Sequence, residues 1–443
     1  MSKVKVVFTP SGIQGEVERN TDIMSAAIQL GADIATLCGG NGQCARCKVQ
    51  ISEGSFAKHN IHSTVDNLSD ASQTEHRKLS VGSLKNGYRL ACRAKILNDI
   101  VVDVPAESQV HHQLIRKTAG NLDSQFLSGA LSAIQLIQVQ VEQPQLDNPS
   151  GDLERFIKAT ESISGLAKLA IEPCLLGSIQ NTLRQGNWKV TVAIYELNKI
   201  IAIWPGKQTE FYGLAVDIGS TTIATHLCDL NTGKVIASQG LMNPQIKYGE
   251  DLMSRVSYIM MNPGGDQSMT AVVREAICDM VNLMLRETKV DRETLLDAVF
   301  VANPVMHHLF LGINPIELGG APFALATQSS VSLAASALNL NLAKGAQVYL
   351  PPCIAGHVGA DAAAVVLAEA PYQSELMTLI IDVGTNAEII LGNKEKLVAA
   401  SSPTGPAFEG AQIENGQRAA PGAIERVRID PENIRAQDKN YWL

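Results

Sequence analysis

The sequence predicts a multidomain α/β and α+β protein, on three observations. In the first hundred residues, short apolar runs surround one amphipathic helix, and a glycine-rich loop carries three of four grouped cysteines. A second stretch combines an alternating strand, a helix and a closing strand pair. A third, longer stretch contains one strand–glycine turn–strand pattern twice. The chain's 443 residues suffice for about three ordinary domains.

Residues 1–105 form the first predicted domain. Val4, Val6 and Phe8 alternate between Met1 and Pro10, which marks a strand and not a signal peptide. Thr21 is the expected N-cap of a helix whose Ile23, Met24, Ala27 and Leu30 share a face and which Gly31 stops. Strands are expected at Lys48–Ile51 and Arg89–Val104, the order of a small β-grasp domain. Residues 106–130 lack periodicity and read as a linker. Residues 131–208 predict a small α/β domain. It has a strand through Ile134, Leu136, Val139 and Val141, a helix opened by Asp152 and Glu154, and strands at Trp188–Tyr195 and Lys199–Trp204. Residues 209–443 form the larger α/β region.

Composition narrows the function. Hydrophobic residues make up 45% and charged residues 18%, with a net charge of −8. Nucleic acid and anionic membranes both call for a basic face, so neither is the expected partner. No apolar run is long enough to span a bilayer. A cytoplasmic location is expected, where thiols stay reduced, so metal binding is the better reading of any cysteine cluster.

Cys38, Cys44 and Cys47 lie on a loop with Gly39, Gly40 and Gly42, and Cys92 follows after forty-four intervening residues. Four thiolates satisfy a [2Fe–2S] cluster, two on each iron. Glycines let the chain wrap tightly and aim its N–H groups at sulfur, and Arg46 and Arg93 would stabilise the reduced cluster. The alternative is structural zinc, which usually shows two C-x2-C knuckles where this loop has one. The spacing resembles plant-type and vertebrate-type ferredoxins, with the wider first gap of the latter and a longer interval before the last cysteine. The extra residues are expected in a polar helix-like stretch, Asp66–Leu79, clear of the ligands. Cys174, Cys228, Cys278 and Cys353 stand alone and read as small buried hydrophobes.

The repeated pattern is Leu214-Ala-Val-Asp217-Ile-Gly219-Ser220-Thr221-Thr222 and Leu379-Ile-Ile-Asp382-Val-Gly384-Thr385-Asn386. Each copy continues into a polar turn, Asp229–Lys234 or Gly392–Lys396. An Asp-x-Gly-hydroxyl tip suits a nucleotide phosphate. Glycine permits close approach, and Ser220, Thr221, Thr222, Thr385 and Asn386 can cradle oxygens. Asp217 and Asp382 would hold hydrated Mg²⁺ or orient the attacking water. One copy alone is ordinary turn chemistry; two suggest a duplicated fold with a cleft between its halves. Of the adjacent His307 and His308 on an apolar helical stretch, at most one can face a site. His357 and Asp361 begin a helix whose N-terminus could meet an anion.

These hairpins resemble the superfamily of acetate kinase, sugar kinases, Hsc70 and actin (ASKHA). Asn243–Asp251, Ala302–Leu309, Gly356–Asp361 and Ser402–Gly410, combined with the cysteine domain, resemble the reductive activators of corrinoid proteins. That resemblance implies a ferredoxin-like domain, a small middle domain and an actin-like, ribonuclease H-like domain. It further implies ATP with Mg²⁺, a corrinoid protein as electron acceptor and a separate reductase as donor. Asp361 is then a cleft residue. Only sixty-one residues follow Asp382, so the second half of the actin-like domain is expected to be incomplete, with exposed core surface and self-association, a homodimer included. A plain [2Fe–2S] carrier with a docking domain is the alternative. An activase of a radical dehydratase would bring a [4Fe–4S] cluster whose ligands the sequence does not supply.

Overall fold

The computed structural model describes residues 2–105 except 35, 37 and 43, residue 108, residues 133–404 except 148 and 250, and the pairs 428–429 and 441–442. Most of the expected linker, 106–130, and of the stretch 402–410 therefore lies outside the described residues.

The N-terminal domain contains β1 (Lys3–Thr9), β2 (Gln14–Glu18), α1 (Ile23–Leu30), β3 (Lys48–Ile51), β4 (Gly54–Phe56), β5 (Ile61–Ser63), α2 (Gln73–Lys78), α3 (Val81–Lys85), β6 (Tyr88–Leu90) and β7 (Ile100–Asp103). Its sheet runs β2-β1-β7-β3-β6, with β1 and β7 parallel. Val4, Val6 and Phe8 point into one core with Ile23, Met24, Ala26 and Ala27 of α1. Two expectations are corrected. The cap of α1 is Asp22, not Thr21, because the Asp22 carboxylate reaches the Ser25 N–H at 2.9 Å; Gly31 ends the helix at φ 82°. The span Arg89–Val104 is two strands, interrupted by a turn that carries Cys92. Ala91 N–H donates to the Cys47 carbonyl and Met24 N–H to the Ala91 carbonyl, so the turn is tied to both the cysteine loop and α1.

The next body holds β8 (Ile134–Gln140), α4 (Asp152–Ser164), β9 (Ala170–Ile171), α5 (Ile179–Gln185), β10 (Lys189–Tyr195) and β11 (Lys199–Pro205), in sheet order β8-β10-β11-β9. Phe156, Leu183, Val192 and Ile200 fill its core. Asp152 opens α4 and pairs with Arg155 and Arg184.

The larger region supplies β12 (Tyr212–Ile218), β13 (Thr222–Asp229), β14 (Lys234–Met242), α6 (Leu252–Met261), α7 (Gly265–Thr288), β15 (Leu295–Ala302), α8 (Pro304–Leu311), β16 (Val331–Ala334), β17 (Gln347–Leu350) and α9 (Ala360–Glu369). The six-stranded sheet runs β14-β13-β12-β15-β17-β16. Then β18 (Thr378–Val383), β19 (Asn386–Gly392) and β20 (Leu397–Pro403) form a separate antiparallel sheet. Ferredoxin-like and ASKHA-type sheets are thus combined in one chain. On β18, Leu379, Ile381 and Val383 are exposed. The chain makes two compact units: Met1–Leu114 with Pro244–Gly265 and Pro371–Leu443, and Ile115–Asn243 with Asp266–Ala370. No described helix is long and apolar enough to cross a membrane.

Candidate functional site

The cysteine loop is built on left-handed backbone: Gly39, Gly40 and Gly42 have φ of 58°, 90° and 73°. Cys47 is buried at the entry to β3, and its Sγ lies 3.4 Å from Cys92 Sγ. Two thiolates on one tetrahedral metal, with bonds of about 2.3 Å, stand about 3.8 Å apart, so this pair is spaced much as ligands of one iron would be. The charges of Cys44 and Cys38 are felt at Cys47 and Cys92 respectively. All four thiols therefore belong to one electrostatic group. The hydrogen bond to Cys92, followed by burial, pushes the Cys47 thiol far up. The same bond brings Cys92 down, with help from Arg93. Among the described residues no three His, Cys, Asp or Glu side chains are grouped as ligands of a single metal ion; a two-iron centre asks only two protein sulfurs of each iron. The donor set fits that centre.

The insertion before Cys92 is more involved than expected. Ser72 and Glu75 make a capping box on α2. Glu75 is fully buried, pairs with Arg89 at 2.8 Å and accepts from Leu90 N–H at 3.1 Å. Burial pushes its carboxyl up, but Arg89 and the backbone donors bring it below the usual range. Thr74 also abuts the loop: a Cβ on Gly42 would stand 3.1 Å from its methyl. The insertion thus anchors the strand that delivers Cys92. Sequence reasoning missed Glu75, although Ser-x-x-Glu is a legible capping signal.

In the first hairpin, Ile218 pairs with Ile223 across Gly219-Ser220-Thr221-Thr222. Gly219 N–H donates to the Thr222 carbonyl at 2.9 Å, and a Cβ on Gly219 would stand 2.7 Å from that oxygen. Asn243, at the end of β14, closes the tip: its N–H donates to Thr221 O and its side-chain amide to Gly219 O, both at 2.8 Å. Asn303, which caps α8, donates to Ser220 Oγ at 3.3 Å. Gly359, the cap residue of α9, packs so closely on Ala302 and Asn303 that no Cβ would fit. Asp361 lies in the first turn of α9. Asp217, Gly219, Ser220, Thr221, Thr222 and Asp361 therefore gather at the carboxyl ends of parallel β12 and β15, where α/β sheets bind ligands. Asn243 and Asn303 carry no role in the sequence reading; their signal was Asn-Pro at the close of a strand.

The second hairpin repeats the device one residue shorter. Val383 pairs with Ala387, and Gly384 N–H donates to Asn386 O at 2.8 Å. Thr404, at the end of β20, stands where Asn243 stands in the first: its N–H donates to Thr385 O at 3.2 Å and its hydroxyl to Gly384 O at 3.0 Å. Asp382 is exposed at the end of β18. The two hairpins belong to different units.

Other candidates are placed elsewhere. His307 and His308 are both buried, and burial pushes His307 down to about 4. His308 Nε2 accepts from Ala326 N–H. His357 precedes α9 and packs on Phe323. Among the lone cysteines only Cys353 is buried; Cys174 is exposed, against expectation, with its thiol 3.2 Å from the Lys344 carbonyl.

Comparison with known proteins completes the picture. Residues 7–97 match the 2Fe–2S iron–sulfur cluster binding domain, which supports an iron–sulfur centre. Residues 130–210 match the RACo linker region, 212–374 the RACo middle region, and 376–440 the C-terminal, ASKHA domain of RACo. A corrinoid activation enzyme of Eubacterium limosum is 26% identical over 97% of this chain and 66% of its own length. A reductase of a Co(II) methylated amine-specific corrinoid protein from Methanosarcina barkeri is 27% identical over 52% of this chain and 42% of its own. The chain thus spans two thirds or less of these relatives. A solved reductive activator for a corrinoid, iron–sulfur protein aligns with a TM-score of 0.60 at 30% identity, covering 98% of this chain and 68% of that one. With both modules matched in order along one chain, this protein belongs to the family of reductive activators of corrinoid proteins.

Proposed function

We propose that the protein is an ATP-dependent reductive activator that returns Co(II) to Co(I) in a corrinoid protein of a methyltransferase system. The observation that carries this reading is the union in one chain of a four-thiol loop and two Asp-x-Gly hairpins closed in the same way. The [2Fe–2S] centre, when bound, supplies a one-electron donor. Cys38, Cys44, Cys47 and Cys92 hold it, and Arg93 offsets the charge that reduction adds. Ferredoxin-type centres lie near about −400 mV, and the family's Co(II)/Co(I) couple lies lower, so the transfer runs uphill. A one-electron gap of about 59 mV already costs a factor of ten. An ATP module beside an electron module answers that need.

Asp217 and Asp382 orient hydrated Mg²⁺ or the attacking water. Gly219, Ser220, Thr221, Thr222, Gly384, Thr385 and Asn386 line the phosphates, and Asp361 faces the same end of the sheet as Asp217. A separate reductase feeds the cluster, the setting is cytoplasmic, and the exposed apolar face of β18 favours self-association into a homodimer. The test is ATP turnover with and without a Co(II) corrinoid protein, with Co(I) formation followed by absorbance. Stimulated turnover and Co(I) formation are expected; electron transfer at a rate indifferent to ATP would favour a plain carrier.

A further inference from the structure

Gly39 meets more than the cysteine loop. A Cβ at that position would stand 2.5 Å from the Ser254 carbonyl oxygen and 3.3 Å from that of Tyr248. Both carbonyls belong to the segment Pro244–Gly265, which shares a compact unit with the cysteine domain although it is remote in sequence. The segment is braced from within. Arg255 is fully buried and donates to Gly249 O at 2.8 Å and Gln245 Oε1 at 3.1 Å. Asp251 caps α6 by accepting from Ser254 N–H at 2.7 Å and from its hydroxyl at 2.8 Å, which fixes the carbonyl that Gly39 faces. Beyond that contact, Tyr248 and Tyr258 pack with tilted rings, their centroids 5.1 Å apart. With Gly39, Gly40, Cys92 and Asp22 they line a cavity of about 170 Å³.

We propose that Pro244–Gly265 is a cover over the cluster, with Ser254 and Tyr248 as positioning residues that seat the Gly39 bend and hold the cluster's reduction potential low. Reduction adds one negative charge. A wall that presents carbonyl oxygens, together with the Asp22 carboxylate that lines the same cavity, disfavours that charge, whereas opening the cavity to more water beside Cys92 would favour it. The inference rests on the [2Fe–2S] centre of the proposed function and on the contact of its loop with Pro244–Gly265, and needs no nucleotide.

The test compares Gly39→Ala with Gly40→Ala in the full chain. Both positions have positive φ, so both variants strain the same loop, but a Cβ on Gly40 meets only Cys92 Cβ, at 3.9 Å. Gly39→Ala is expected to raise the midpoint potential, read by EPR titration, above that of Gly40→Ala. The shift should approach tenfold in the reduction equilibrium, about 59 mV for one electron. Cluster loss to a chelator should accelerate in parallel. Asp251→Ala, which loosens α6 without touching the loop, should move both quantities in the same direction. If the strained loops fail to take up a cluster, hydrogen exchange of the α6 amides in the metal-free chain decides: at least tenfold faster exchange in Gly39→Ala than in Gly40→Ala supports the cover. Equal potentials, equal chelation and equal exchange in the two glycine variants would overturn it.

Discussion

Glu75→Ala isolates the anchor of the strand before Cys92. The substitution leaves the Arg89 guanidinium, 2% exposed, without its carboxylate. It also strips Leu90 N–H of its acceptor and removes half of the α2 capping box. Breaking a buried pair from one side costs about 3–5 kcal/mol, because the stranded charge remains. A loss of that size is a large fraction of a small domain's stability. The assay is urea denaturation of the cluster-loaded chain, followed by visible circular dichroism of the cluster, with a lower midpoint at unchanged slope expected. Glu75→Leu combined with Arg89→Met replaces both partners by apolar groups and should recover most of the loss. The folded carboxyl is held below its unfolded value. Its contribution is therefore complete above the unfolded value, near 4.5, and is lost as pH falls through the folded one. A loss below about 1 kcal/mol for Glu75→Ala, or a double variant no better than the single, would refute the assigned anchor role.

Three further outcomes are expected. Asp217→Asn or Asp382→Asn should abolish corrinoid-stimulated ATP turnover while leaving the visible spectrum of the cluster intact, as absorbance and phosphate release would show. Cys47→Ser should lower iron and acid-labile sulfide well below the four-cysteine chain, whereas Cys353→Ser, measured the same way, should leave both unchanged. Burial pushes Asp297 from 3.8 up to about 6, and its Oδ1 has no hydrogen-bond partner. A raised carboxyl destabilises the fold above pH 6 and not below pH 4. Asp297→Asn should therefore add about 2–3 kcal/mol near pH 8, with the gain vanishing toward pH 4 in thermal melts.

The sequence made the modules legible because their signals are local. Alternation in Val4, Val6 and Phe8 needs only one strand and its core face. The hairpin echo needs only an Asp, a glycine and hydroxyls at matched spacing. What escaped depends on partners distant in the chain. Thr21 and Asp22 are both good caps, and the choice fell to whichever carboxylate or hydroxyl reached Ser25 N–H. Arg89–Val104 reads as one strand-like stretch, yet Cys92 must bend toward the loop, and Ala91 and Ala94 are spent on backbone bonds to Cys47, α1 and their own turn. The closing roles of Asn243 and Thr404 follow from a third strand returning beside the tip, a register that composition does not encode. The single residue by which the two turns differ in length was equally invisible until each glycine's partner was known.

The unit that holds the cysteines is stitched from three separate lengths of chain, and this bears on how such proteins can be cut and recombined. A gene segment ending near codon 105 would encode all four grouped cysteines yet omit the carbonyls of Ser254 and Tyr248 that stand against Gly39. Swapping that segment for a stand-alone ferredoxin of matching cysteine spacing would thus transplant the metal without its surroundings. Successful chimeras should exchange the first domain and residues 244–265 as one heritable block.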